Sequence, residues 1–271
     1  MWSELQRTPL RADALRRALT APHGPYAAID VVAETGSTNA DLATVARAGA
    51  ADRTVLVAEH QTAGRGRAGR GWTAPPRSGL ALSVLLRPGG VPQGRWGWLP
   101  LLTGVALAEV VAELCDLDTA LKWPNDLLLG PRRRKAAGIL AEVVGDAVVL
   151  GMGLNVTLRP EELPVPEATS LAVEESACTD RDPLLEGLLR RLDSVERRWR
   201  DHHGDATGSG LRDAYLSCCA TLGQQVRVQL PAREPVRGTA VDVDAQGRLV
   251  VEAAGVREAL SAGDVTHLRS D

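Results

Sequence analysis

The sequence predicts an α+β fold, a mixed or antiparallel sheet with covering helices, followed by a small all-β unit. Three observations carry this expectation. Gly138 to Val144 and Ala147 to Gly153 are apolar runs that meet at Gly145-Asp146, the pattern of a hairpin. Trp98 to Leu114 is rich in alanine and leucine and reads as a buried helix. From about Leu222 the chain changes to short apolar runs, Val226 to Leu230, Val236 to Val243 and Arg248 to Ala253, with a turn signal at Asp244-Ala245-Gln246-Gly247. This tail of roughly fifty residues has the size of a compact barrel. A chain of 271 residues accommodates one large domain plus a small one, and the expected division is 1–221 and 222–271.

The remaining elements follow in chain order. Pro9 to Leu19 reads as a short amphipathic helix, and Ala27 to Val32 as a strand. A helix then runs to Ala48, with Thr38 and Asp41 in the spacing of a capping box. Thr54 to Glu59 is a β-branched and apolar strand that enters a glycine- and arginine-rich loop, and Gly79 to Leu86 is the strand after it. Thr119 to Trp123 is a short strand running into Pro124-Asn125-Asp126. Leu184 to Trp199 and Leu211 to Ser217 are helical, separated by a polar, glycine-rich surface loop from Asp201 to Gly210. His202 and His203 in that loop are adjacent and would point apart, which is poor geometry for a shared metal.

Composition narrows the function classes. Hydrophobic residues make up 44% of the chain, enough for a packed core. The net charge of −3 argues against a polycation that coats nucleic acid. Cys115, Cys178, Cys218 and Cys219 show neither zinc-ligand spacing nor the density of a disulfide scaffold, which points to a reduced, cytoplasmic setting. Neither a signal peptide nor an apolar run of membrane-spanning length is expected.

The loop Gly64-Arg65-Gly66-Arg67-Ala68-Gly69-Arg70-Gly71-Trp72 holds three arginines and four glycines. Glycines allow close backbone approach to a ligand, and successive N–H groups make an anion nest. Arginines add forks that match phosphate or carboxylate. Gly64, Gly66 and Gly69 satisfy G-x-G-x-x-G, but Gly71-Trp72-Thr73-Ala74-Pro75-Pro76 cannot open a helix, so a dinucleotide fold is rejected. No lysine stands where a P-loop needs one. A nucleic-acid loop stays open, as does a solvated basic turn. Trp72 offers a flat face for a planar group, or a core side chain. Lys122-Trp123-Pro124-Asn125-Asp126 brings a cation, an amide and a carboxylate to a strand end, with oxygens suited to Mg²⁺ or to an ordinary turn. Lys135 follows the basic run Arg132-Arg133-Arg134 and leads into the strand at Gly138. Asn155 closes Gly151-Met152-Gly153-Leu154-Asn155, while Ser37-Thr38-Asn39 offers either helix caps or small ligand contacts.

Together these residues resemble the biotin protein ligases, in a short form without an N-terminal DNA-binding domain. The resemblance rests on Ser37-Thr38-Asn39, Glu59-His60-Gln61-Thr62-Ala63, Gly64 to Trp72, Lys122 to Asp126, Lys135-Ala136-Ala137-Gly138-Ile139-Leu140 and Gly151 to Asn155. It spans nearly the whole chain and implies a biotin/lipoate-ligase type catalytic unit with an SH3-like β-barrel behind it. It further implies joining of biotin to ATP as biotinyl-5′-adenylate, then transfer to one lysine of a biotin carboxyl carrier domain of an acyl-CoA carboxylase. The roles carried over are Ser37, Thr38, Asn39, Gln61, Gly64, Arg65, Gly66 and Gly138 for biotin. Arg70, Trp72, Lys122, Asn125, Asp126 and Asn155 would serve the nucleotide. Arg67 and Lys135 would serve both and act in catalysis, and Asp126 and Asn155 would hold Mg²⁺. Clustered cations suit a reaction that brings carboxylate and phosphate together.

Two departures are visible. The family commonly has Lys-Leu-Ala-Gly where this chain has Lys135-Ala136-Ala137-Gly138, a loss of packing volume that leaves the lysine in place. About twenty-five residues precede the first core strand, too few for the winged helix-turn-helix of some members, so no operator binding is expected. A monomer or weak homodimer is expected, with no membrane partner. The rival readings are a lipoate or octanoate ligase or transferase of the same fold, and a non-catalytic nucleic-acid module. Gln61 and Ser37-Thr38-Asn39 favour a polar ureido ring over a plain acyl chain.

Overall fold

The computed structural model describes residues 7–230, 233–261 and 263–268. Seven strands form the main sheet: β1 (Ala28–Val32), β2 (Thr54–Ala58), β3 (Gly79–Leu86), β4 (Thr119–Lys122), β5 (Asp126–Leu129), β6 (Arg134–Val144) and β7 (Ala147–Asn155). Their spatial order is β1-β2-β3-β7-β6-β5-β4. The β1–β2 pair is parallel and the others antiparallel, so the sheet is mixed, as expected. The helices are α1 (Ala12–Leu19), α2 (Thr38–Arg47), α3 (Trp98–Cys115), α4 (Arg181–Asp201) and α5 (Leu211–Cys218).

The sheet has two different faces because its central strands alternate. Leu150, Met152 and Leu154 of β7 join Leu80, Leu82 and Val84 of β3 in the main core with α3 and α4. Gly151, Gly153 and Asn155 occupy the opposite face. There α2 covers one end, setting Leu42, Ala43 and Ala46 against Leu85, Ala147 and Val149. The uncovered remainder of that face, floored by glycines, is where the polar residues gather.

Several expectations need correction. The helix at residue 38 is capped by Ser37, whose hydroxyl accepts from the Ala40 N–H at 3.5 Å. Thr38 lies inside the helix, and Asp41 instead accepts from the Thr35 hydroxyl. The capping-box spacing was therefore coincidental. The helix α3 has, at 18 residues, the length and apolarity of a membrane span, contrary to expectation. It is mostly buried between the sheet and α4, as a core helix is. β5 was not expected, and β6 begins at Arg134 rather than Gly138. The α4 helix begins at Arg181, where the Asp180 carboxylate accepts from the Asp182 N–H.

Beyond α5, β8 (Gln225–Gln229), β9 (Val236–Val243), β10 (Leu249–Ala253), β11 (Val256–Leu260) and β12 (Asp264–His267) form an antiparallel sheet in the order β11-β10-β9-β8-β12. Its last two strands were not foreseen. The tail packs on the start of α3. The indole N–H groups of Trp98 and Trp123 donate to the Ala245 and Gly247 carbonyls, both at 3.1 Å. Gly97 and Gly247 approach so closely that a Cβ on either would overlap the other segment's backbone.

Candidate active site

The site grows from three structural facts. The first is the N-terminus of α2, where Ser37, Thr38 and Asn39 are buried although polar. Gln61, just after β2, turns its Oε1 to accept from the Thr38 backbone N–H at 2.9 Å, and lies 3.1 Å from the Thr38 hydroxyl. Thr38 and Asn39 also meet Ser83 of β3, at 2.7 and 2.6 Å, and the Asn39 amide donates to Glu142 of β6 at 2.6 Å and to the Leu140 carbonyl at 3.3 Å. Asn39 thus spends its polar atoms inside the protein.

The second is the glycine floor. Gly138 of β6 and Gly153 of β7 are register partners. The Trp72 indole lies on them: a Cβ on Gly153 would overlap the ring, and one on Gly138 would stand 3.2 Å from it. Gly151 likewise leaves room for the Asn39 amide. Lys135 reaches the same region, with Nζ 2.7 Å from Asp126 Oδ1 and 5.9 Å from the Trp72 ring centroid. The space between Gln61, Trp72 and Ala81 amounts to about 20 Å³, room for little more than a water.

The third is the loop itself. The Gly66 N–H donates to the Arg70 carbonyl and the Trp72 N–H to the Gly64 carbonyl, so the arginine turn is a narrow hairpin. Its tip is left-handed at Ala68 and Gly69. Arg70 forms a fork to Asp264 of β12 at 3.0 and 3.2 Å, which ties the loop to the C-terminal sheet. Arg65 is exposed. Arg67 is half-buried; burial lowers its pKa, and the Asp126 charge opposes this. Burial likewise lowers the Lys122 pKa, against Asp126 and Asp264. Arg67, Lys122, Lys135, Asp126 and Asp264 therefore form one electrostatic group, the arrangement expected around a polyanion.

Asn125 donates from its amide to the Ile139 carbonyl at 3.0 Å, and Asn155 to the Thr169 carbonyl at 2.9 Å. Both keep a side-chain oxygen available. Among the described residues, no three His, Cys, Asp or Glu side chains gather to hold a metal. The donors present fit Mg²⁺ arriving with nucleotide phosphates, which needs only one or two protein oxygens.

Sequence reasoning missed Ser83, Glu142 and Asp264. A lone serine in the apolar strand Gly79–Leu86 was a usable signal for the first. Glu59, part of a motif singled out above, serves structure: its carboxylate pairs with the buried Arg181 at 2.6 Å and accepts from the Leu10 N–H.

A mixed sheet with a glycine-floored polar face, a basic loop across it and a β-sheet tail tied to that loop makes a site for an anionic ligand. The biotin/lipoate A/B protein ligase family model matches residues 33–156, and the biotin protein ligase C-terminal domain model matches residues 221–268. The biotin--[acetyl-CoA-carboxylase] ligase of Mycobacterium tuberculosis is 47% identical over 267 residues, 97% of each chain. The bifunctional ligase/repressor BirA of Bacillus subtilis is 31% identical, over 86% of this chain and 71% of that one. Among solved structures, the biotin protein ligase from Aquifex aeolicus in complex with biotin and ATP superposes with a TM-score of 0.73 at 26% identity, over 90% of this chain and all of that one. The chain belongs to the biotin protein ligase family.

Proposed function

We propose that this protein uses ATP to activate biotin as biotinyl-5′-adenylate and transfers the biotinyl group to a lysine of a biotin carboxyl carrier domain. The observation that carries the reading is Lys135, held by Asp126 beside the Trp72 face and the glycine floor, within the charge group that includes Arg67 and Lys122.

The chemistry joins two anions. The biotin carboxylate attacks the α-phosphorus of ATP, the bond to the bridging oxygen breaks, and pyrophosphate leaves. Lys135 and Arg67 lower the repulsion of that approach and stabilise charge spreading over the phosphoryl oxygens. Ser37, Thr38 and Gln61 supply acceptors and donors for a ureido ring, with Gly64, Arg65 and Gly66 closing above it. Gly138 leaves room beside the biotin for the Trp72 ring and the Lys135 amine, which a Cβ there would crowd. Trp72, Lys122, Asn125 and Arg70 serve the nucleotide, and Asp126 and Asn155 would hold Mg²⁺, which supplies charge neutralisation to the phosphates. In the second half-reaction a carrier lysine amine attacks the mixed anhydride and AMP departs. No enzyme nucleophile is required.

The chain divides functionally at residue 221/222 and acts in the cytoplasm as a monomer or weak homodimer. The four cysteines are free, as a reducing compartment requires. Pyrophosphate release that depends on biotin and ATP, and that lipoate or octanoate does not support, is the expected result. Release with the acyl acids and none with biotin would overturn the reading.

A further inference from the structure

The polar chain beneath the α2 N-terminus has only one way to place its protons. Asn39 Nδ2 faces the Leu140 carbonyl and the Glu142 carboxylate, and both can only accept. The amide orientation is therefore fixed, and Oδ1 points to Ser83. The single Ser83 proton must go to Asn39 Oδ1, 2.6 Å away, because that oxygen cannot donate. Ser83 Oγ and Thr38 Oγ1 are 2.7 Å apart, so the proton between them must come from Thr38. Thr38 then has none for Gln61. Gln61 Oε1 is satisfied by the Thr38 backbone N–H. Two acceptor oxygens, Thr38 Oγ1 and Gln61 Oε1, are left 3.1 Å apart with no proton between them, and Gln61 lines the small cavity beside Trp72.

We propose that Ser83, Asn39 and Glu142 are positioning residues that lock the Thr38 hydroxyl as an acceptor, and so select a ligand carrying a ring N–H at that place. The proposal rests on the biotin reading and adds how the site rejects rings of the same shape. Ser83 is fully buried, Thr38 and Asn39 nearly so, and bulk water cannot reorder their protons. A ring oxygen or methylene in place of N–H would set lone pairs or carbon against two fixed acceptors. A site of buried, oriented polar groups discriminates far better than an apolar pocket. Glu142 ends the chain with a carboxylate and never touches the ligand.

The test compares biotin with two cyclic carbamates in which each ring N–H in turn is replaced by oxygen, measuring pyrophosphate release with ATP. For the isomer that places oxygen at Thr38, kcat/KM in the wild type falls by about a hundredfold or more relative to biotin. In Ser83→Ala the Thr38 hydroxyl is released to rotate, its proton shared between Gln61 Oε1 and the ligand, so this ratio falls to about tenfold or less, with biotin KM raised and kcat kept. Glu142→Gln retains the wild-type ratio, because its amide oxygen still accepts from Asn39, whereas Glu142→Leu lowers it. An active wild type whose ratio is unmoved in Ser83→Ala overturns the proton-ordered chain alone. A wild type that releases no pyrophosphate with biotin overturns the functional reading as well.

Discussion

Two glycines on one face of β7, two residues apart, should respond in opposite ways to the same methyl group. Neither Gly151 nor Gly153 has a left-handed backbone, so alanine is conformationally acceptable at both. What differs is the neighbour. A Cβ at Gly151 would overlap the Asn39 amide, which is buried and held by Ser83, Leu140 and Glu142. Relief requires breaking those bonds or moving α2, and either costs about 2–4 kcal/mol. The melting temperature of Gly151→Ala should drop by roughly 5–12 °C. A Cβ at Gly153 would overlap the Trp72 indole, which belongs to a surface loop and can leave. Gly153→Ala should therefore unfold within about 1 kcal/mol of the wild type, since alanine also restricts the unfolded chain. Its loss should fall on turnover: a displaced Trp72 no longer lies beside Lys135, and kcat/KM for ATP should decrease at least about tenfold. Calorimetry with a coupled pyrophosphate assay reads both effects. Equal melting losses in the two variants, or a Gly151→Ala protein as stable as the wild type, would refute the reasoning.

Other outcomes follow from the same geometry. Arg70→Ala and Asp264→Ala should each change stability by less than about 1 kcal/mol, because the pair is half-exposed, while speeding escape of bound adenylate in a filter-retention assay. Arg181→Met should destabilise by about 3–5 kcal/mol in denaturant titration, as it leaves the buried Glu59 carboxylate without its partner. Burial and the Lys122 charge lower the His267 pKa, so the unfolded chain takes up a proton there before the folded one does. Stability should thus fall as pH drops below about 6.5, and His267→Gln should flatten that slope in urea midpoints measured across pH. Burial pushes the Cys218 thiol up to about 12, so alkylation at neutral pH should spare it until the protein unfolds.

The strand from Gly151 to Asn155 and the arginine loop stood out in the sequence for identifiable reasons. The alternation in Gly151-Met152-Gly153-Leu154-Asn155 separates core from site at a period of two, and the arginine loop has no ordinary use for so many glycines. The buried α3 was legible from apolarity alone, although the same composition suits a membrane span. β5 was hidden because Asp126-Leu127-Leu128-Leu129 is short and follows a Pro-Asn turn signal. The start of β6 was hidden by the basic run, since Arg134 and Lys135 are strand residues whose side chains serve ion pairs. Long-range partners leave no local trace: nothing near Asp264 announces Arg70, and nothing near Glu142 announces Asn39. The misassigned cap shows the converse. Thr38 and Asp41 had the right spacing, but the Thr38 hydroxyl meets Ser83 and its backbone N–H is taken by Gln61.

The role of Lys135 is tested most directly by labelled-biotin transfer to a purified carrier domain from two starting points, biotin with ATP and preformed biotinyl-5′-adenylate. Lys135→Ala should lose transfer from biotin and ATP by about a thousandfold while keeping most transfer from the adenylate. Equal losses from both starting points, or near-normal transfer from biotin and ATP, would contradict the assignment of Lys135 to adenylate formation.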